Sequence, residues 1–161
     1  MKEFEYNECV RNYADNVYRF VLKNLRNEED ARDVVQSSFE KLWINRSKIE
    51  SEKAKSFLFT VAYRQLIDLI RKNKRITLKE DFSQANMQSR PSQPGVREIL
   101  NKAIYKLSDT QRSLVLLKDY EGYSYEEIAE ITSLSISQVK VYLHRARIQL
   151  KNFLIKPENV I

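Results

Sequence analysis

Two helix starts only eleven residues apart constrain this chain more than any other feature of its sequence. Ser124 with Glu127, and Ser135 with Gln138, each have the spacing of a capping box. In that arrangement a serine oxygen accepts the N3 amide hydrogen, and the N3 side chain reaches back to the cap amide. The interval leaves room for a helix of about two turns followed by a tight turn. Ile128, Ala129, Ile131 and Leu134 supply the buried side of the first helix and the turn. Val139, Leu143, Ala146 and Leu150 recur at helical spacing and bury the second. The pattern predicts a helix-turn-helix between Ser124 and Leu150.

The side of the second helix opposite that stripe carries Ser137, Lys140, Val141, His144 and Ile148, at i, i+3, i+4, i+7 and i+11. From Ser135 to Lys156 there are five lysines and arginines and no acidic residue. Such a helix can enter a major groove, its early residues reading base edges and its later cations holding phosphates. An amphipathic helix with a solvated basic face is the plainer alternative; the paired capping boxes favour the groove.

Composition agrees with helices throughout. Two glycines and three prolines in 161 residues disfavour turn-rich β folds, and 42% apolar residues suffice for one domain or two thin ones. The expected fold class is all-α, with two small helical domains. A net charge of +6 suits a polyanionic partner. The single cysteine, Cys9, excludes an intrachain disulfide and fits a reducing compartment. No run approaches the apolar length of a signal peptide or membrane span, so the expected location is the cytoplasm.

Taken in order, Val10, Tyr13, Ala14, Val17, Val21 and Leu25 trace one face of a first helix from about Phe4 to Leu25. Asn27 can cap a second, with Glu28, Glu29 and Asp30 complementing its positive dipole end. Asp30, Asp33 and Gln36 fall outside its apolar stripe and form an acidic, polar edge. Ser51 is a possible cap for a third helix from about Glu52 to Lys74. That helix carries Arg64, Arg71, Lys72, Lys74 and Arg75, and Phe59 and Tyr63 form an i, i+4 pair beside its main stripe. Cations interleaved with rings suit an unpaired nucleic-acid strand; rings covering a thin core fit equally well.

Helical periodicity lapses after Ile76, and the polar stretch Ser83 to Gly95 holds two of the three prolines. Residues 77–95 are expected to be a flexible linker that leaves the two domains, 1–76 and 96–161, free to move relative to each other. Beyond it, Ser108 and Gln111 form a third capping-box pattern, and Gly122 is placed to end a helix just before Ser124. No catalytic chemistry is expected: one histidine and one cysteine make no familiar zinc cluster, and there is no glycine-rich phosphate loop. His144, set among Arg145 and Arg147, suits a groove contact better than general-base work. No metal or cofactor is expected.

Three segments together resemble the extracytoplasmic-function group of bacterial sigma factors. Asp30 to Trp43 is similar to that family's polymerase-binding helix in region 2, and Phe57 to Lys72 to the segment that opens and reads the −10 element. Leu107 to Leu117, followed by Gly122 to Leu150, resembles region 4. The resemblance implies a non-enzymatic protein that joins core RNA polymerase and directs it to promoter DNA, with a cognate anti-sigma factor as a further partner. It implies that Asp30, Asp33 and Gln36 contact the polymerase clamp helices, that the region 4 helices hold the flap tip, and that Phe59, Tyr63, Arg64, Arg71 and Lys72 serve the −10 element. It also implies −35 contacts by Ser137, Gln138, Lys140, Val141 and His144, with Arg145 and Arg147 on phosphates. The family usually has asparagine at Arg64, and Gly-Thr at Ser137-Gln138. Glycine is common at Ser133, where a positive φ would cost a serine some stability.

Overall fold

The computed structural model describes residues 1–80 and 95–155, with the side chains of residues 77–80 left aside. Seven α-helices carry the described chain, and no strand occurs among these residues. They are α1 (Glu3–Leu25), α2 (Glu28–Ile44), α3 (Ala54–Glu80), α4 (Val96–Lys106), α5 (Asp109–Val115), α6 (Tyr125–Thr132) and α7 (Ile136–Leu154). α1, α2 and α3 pack as one unit, α4 to α7 as another. The expected linker falls largely on residues 81–94, outside the described residues.

Local chemistry sets most of the boundaries. The Asn27 side chain accepts the Asp30 amide hydrogen at 2.9 Å and opens α2. The capping boxes at Ser108, Ser124 and Ser135 are all formed, opening α5, α6 and α7. Gly122 takes φ 77° and ends the preceding helical stretch, whose last turn, Leu116–Tyr120, widens to π-helical geometry. Two expectations need correction. Ser51 caps nothing: it begins a short 3-10 turn, Ser51–Lys53, that feeds α3. α3 also runs on to Glu80, since no proline or glycine stops it where its apolar periodicity ends.

The two units also meet each other in this structure. Their apolar interiors meet in a continuous seam, because Phe59 of α3 lies between Phe20 of α1 and Tyr123, which precedes α6. The ring centroids are 5.4 Å and 5.3 Å apart, both pairs inclined, as aromatic quadrupoles prefer. Alongside, Ser113 of α5 donates a 2.9 Å hydrogen bond to the buried Asn24 of α1. Arg19 grips Glu121 with two nitrogens, and Lys74 reaches Asp109 at 2.7 Å, at the edges of the seam. Partial burial pushes the Asp109 carboxyl up, but Lys74 and Arg112 outweigh it and hold it below the usual carboxylate range. Phe59 and Tyr63 therefore do not both stand beside the core: Phe59 is fully buried, since the second unit completes a core that the first would leave open.

The seam is not perfectly satisfied. Tyr123 is buried with no hydrogen-bond partner for its hydroxyl, a cost of about 1–3 kcal/mol. Ser133, in the helix-turn-helix turn, adopts φ 62°, the left-handed conformation that the position demands.

Two stability outcomes are expected. Ser133→Gly should stabilise the protein by about 1 kcal/mol, as removal of a Cβ from a left-handed position does, read as a higher urea midpoint at unchanged slope. Phe20→Ala should cost about 3–5 kcal/mol and lower the unfolding midpoints of both units together, because its ring supports the seam as well as α1; tryptophan fluorescence of Trp43 and total helicity should then report a single transition.

Candidate nucleic-acid interface

α7 presents the clearest surface for a polyanion. Val139, Leu143 and Ala146 are buried and fix its rotation, while Ser137, Gln138, Lys140, Val141, His144, Arg145, Arg147 and Ile148 are exposed. The Ser135 box turns the start of the helix outward: Ser135 Oγ accepts the Gln138 amide at 3.1 Å, and Gln138 Oε1 accepts the Ser135 amide at 2.9 Å. Gln138 is thus engaged as a cap through its side-chain oxygen. With no acid in its first turn and free amides at its positive dipole end, α7 favours phosphate there.

The structure adds two residues that spacing does not reveal. Tyr125, at the start of α6, lies under Lys140 of α7 with the ammonium 5.4 Å from the ring centroid. Lys118, in the π-helical turn, stands 4.5 Å from the same centroid. The Tyr125 hydroxyl also faces Arg147. Tyr125 therefore gathers three cations from two segments through its ring and hydroxyl. Lys118 is seven residues from Tyr125 in sequence, and only the reversal at Gly122 brings it back.

Arg147 differs from Arg145. Its guanidinium donates to Asp119 at 2.8 Å, and this bond, ahead of a charge contribution from the same carboxylate, raises its pKa further. Both partners are nearly half exposed, so the pair stabilises the fold by at most about 1 kcal/mol. Arg147 can offer only part of its donor fork to a phosphate while Asp119 holds the rest. Arg145 is exposed.

α3 bears the second candidate surface. Phe59 is enclosed in the seam, whereas Arg64, Arg71 and Lys72 are exposed. Tyr63 is half-buried: burial pushes its hydroxyl above the ordinary range, against the influence of Thr110 of α5 and Arg71. Arg64 lines a groove with Lys48, Lys53, Phe57 and Thr60, and Glu130 of α6 completes the lining. The third group sits on α2, where Asp33 and Gln36 are exposed one turn apart and Asp30 is half-buried at the first turn. Gln36 donates to Glu40 at 3.2 Å, so the polar edge extends another turn. The structure thus keeps the three groups apart, on α2, α3 and α7.

Substitutions on α7 should separate by role. Lys140→Ala and His144→Ala should change which duplex sequence is preferred, each lost base contact costing about 1–3 kcal/mol at one position. Arg145→Ala should weaken binding to all sequences and lower its salt dependence. Arg147→Ala should do so less, because Asp119 already engages that side chain. Selection from a randomised duplex pool at two salt concentrations checks all four.

Comparison with known proteins follows the same division. Residues 9–76 match the family described as Sigma-70 region 2, and residues 97–150 match Sigma-70, region 4. The chain is 31% identical over 149 residues to ECF RNA polymerase sigma factor SigM of Bacillus subtilis (strain 168), covering 89% of this chain and 91% of that protein. It is 30% identical over 148 residues to RNA polymerase sigma factor SigV of the same organism, covering 88% and 89%. Among solved structures, it is similar to the sigma factor RpoE in complex with the anti-sigma factor NepR from Bartonella quintana. The TM-score is 0.77 at 25% identity, over 92% of this chain and 96% of that one.

Proposed function

This chain belongs to the extracytoplasmic-function group of the sigma-70 family, whose members bind core RNA polymerase and direct promoter recognition and transcription initiation, and we propose from that premise how its parts divide the work. Residues 1–76 engage polymerase and the −10 element, residues 96–161 engage the −35 element, and residues 77–95 join them. On α2, Asp33 and Gln36, with Asp30 behind them, contact the polymerase clamp. An exposed acidic edge suits a basic partner surface and speeds encounter with it.

On α3, Arg64, Arg71 and Lys72 hold the backbone of the opened −10 strand and the half-buried Tyr63 offers a ring for its bases, whereas Phe59, enclosed between Phe20 and Tyr123, supports that face from the core. On α7, Ser137, Gln138, Lys140, Val141 and His144 face −35 bases, with Arg145 and Arg147 on phosphates and Lys118 and Tyr125 supporting them. The observation that carries this reading is the rotation of α7: burial of Val139, Leu143 and Ala146 leaves an acid-free face outward. A cognate anti-sigma factor is a further partner, as NepR is for the Bartonella quintana RpoE. The protein works in the cytoplasm beside polymerase and performs no catalytic step of its own; it supplies recognition, and the polymerase supplies the reaction.

A DNA-binding regulator that never engages polymerase accounts for α6 and α7 but not for the match of residues 9–76 to region 2. Titration against core polymerase tests the polymerase contact directly. Asp33→Arg and Gln36→Ala should each weaken binding, the charge reversal by tenfold or more, with helicity and unfolding midpoint unchanged. Equal affinity for the parent and Asp33→Arg would remove α2 from the polymerase interface.

A further inference from the structure

A groove runs between α1 and α4, and its lining includes none of the residues assigned to polymerase or DNA. It has two adjoining parts, of about 470 Å³ and 850 Å³, which share Arg19, Lys23 and Asn101. Arg26, just after α1, lines the first part, and Arg97 of α4 lines the second. Four cations therefore converge, and Glu28 is the one acid in that lining among the described residues. Arg19 is tied to Glu121 through Nε and Nη2, which leaves its Nη1 without a hydrogen bond among the described residues. Lys23 and Arg97 form no ion pair among the described residues. Lys23 instead donates to Asn101 Oδ1 at 3.2 Å, and its ammonium lies 5.1 Å from the Tyr120 ring centroid. Partial burial lowers the Lys23 pKa, and the charges of Arg97 and Arg19 lower it further. On a solvated basic face, long side chains spread their charged ends into water. Here they crowd together, and Lys23 has only a neutral amide and a ring to offset the cost.

We propose that this groove is a binding site for a small polyphosphate, either inorganic or the phosphate chain of a nucleotide. Guanidinium groups match phosphoryl oxygens with paired donors, and an ammonium adds a point charge. The Asn101 side-chain nitrogen supplies a neutral donor beside them. A single phosphate would leave most of the four cations unmatched, whereas linked phosphates spread their charge along both parts of the groove. Glu28 stands at the Arg26 end, so the phosphate chain centres on Lys23 and Asn101, which both parts share. An anion there relieves the repulsion among Arg19, Lys23 and Arg97 and restores the charge that partial burial disfavours on Lys23. The groove has the size of ordinary small-molecule sites. Its walls come from both helical units, so a bound ligand adds its binding energy to the stability of the whole chain.

The experiment titrates the full chain by calorimetry at about 0.15 M salt, without magnesium, using tripolyphosphate, ATP, GTP and orthophosphate in turn. Tripolyphosphate should bind saturably at a single site, at least tenfold more tightly than orthophosphate, and should raise the unfolding temperature. ATP and GTP distinguish the sources: binding at least tenfold tighter than tripolyphosphate assigns a nucleotide, and equal or weaker binding assigns the phosphate chain alone. Either result supports the site. Lys23→Gln/Arg97→Gln should weaken binding at least tenfold. Asn101→Asp removes no cation and gives Lys23 an acid partner, so it should weaken binding as much while the ligand-free unfolding midpoint holds or rises. Lys102→Gln makes the same kind of charge loss on an exposed part of α4 outside the groove, and should change affinity less than twofold. Amide shifts followed by NMR during the titration should centre on Lys23 and Asn101. No saturable binding at millimolar tripolyphosphate overturns the proposal. So does a loss on Lys102→Gln equal to that on Lys23→Gln/Arg97→Gln, which would reduce the effect to overall charge. Shifts centred on Lys140 and Arg145 would put the anion on α7 and overturn it as well.

Discussion

The placement of the Phe59 ring between Phe20 and Tyr123 is the contact on which the rest of the arrangement turns. Each unit alone is a small three- or four-helix assembly, and small assemblies bury too little apolar surface to be strongly stable. Joining them makes one interior from two. The contact is also selective, because inclined aromatic pairs fix relative orientation better than aliphatic packing does. The hydrogen bond between Asn24 and Ser113 adds a directional constraint inside the seam. Breaking it without separating the units would strand two buried polar groups.

The helix-turn-helix obeys a different logic, governed by backbone rather than by side-chain burial. Ser124 and Ser135 each fix a helix start, and Ser133 accepts a left-handed conformation to reverse the chain between them. With both ends of the turn held, Ile128, Ile131, Val139 and Leu143 can interdigitate in only one rotation of α7. The outward face of α7 is a consequence of that rotation. Its cations need not be strongly bound to the protein, and Arg147, which is tied to Asp119, is tied at the edge of the face.

Charge is spread unevenly over the molecule. α2 opens with Glu28, Glu29 and Asp30 at its positive dipole end, an arrangement that stabilises the helix and at the same time gives this end of the molecule an acidic surface. The exposed cations of α3 and α7 face the other way in sign. Where acids of the second unit do approach basic residues of the first, at Glu121, Asp109 and Glu130, they lie on or beside the seam. Attraction across the seam therefore works with apolar burial, and salt weakens the first more than the second.

Much of the fold is legible in the sequence because its signals are local. The Asn27 cap, the three serine capping boxes and Gly122 each depend on residues within a turn of one another, so spacing alone places them. The exposed stripe of α7 is legible for the same reason, as it is the complement of a periodic apolar stripe. Ser133 shows the same locality in a less comfortable form, since the turn length forces a positive φ on whatever residue stands there. Tertiary structure alone decided the rest. Nothing near Phe59 in sequence tells a base-stacking ring from a core ring; Phe20 is thirty-nine residues before it and Tyr123 sixty-four after. Lys118 and Tyr125 join the basic face only once the chain turns back at Gly122, and Asp119 reaches Arg147 only across the helix-turn-helix. Capping and periodicity act over one or two helical turns, whereas the closure of two units on a shared ring depends on which surfaces remain unfilled after each has folded.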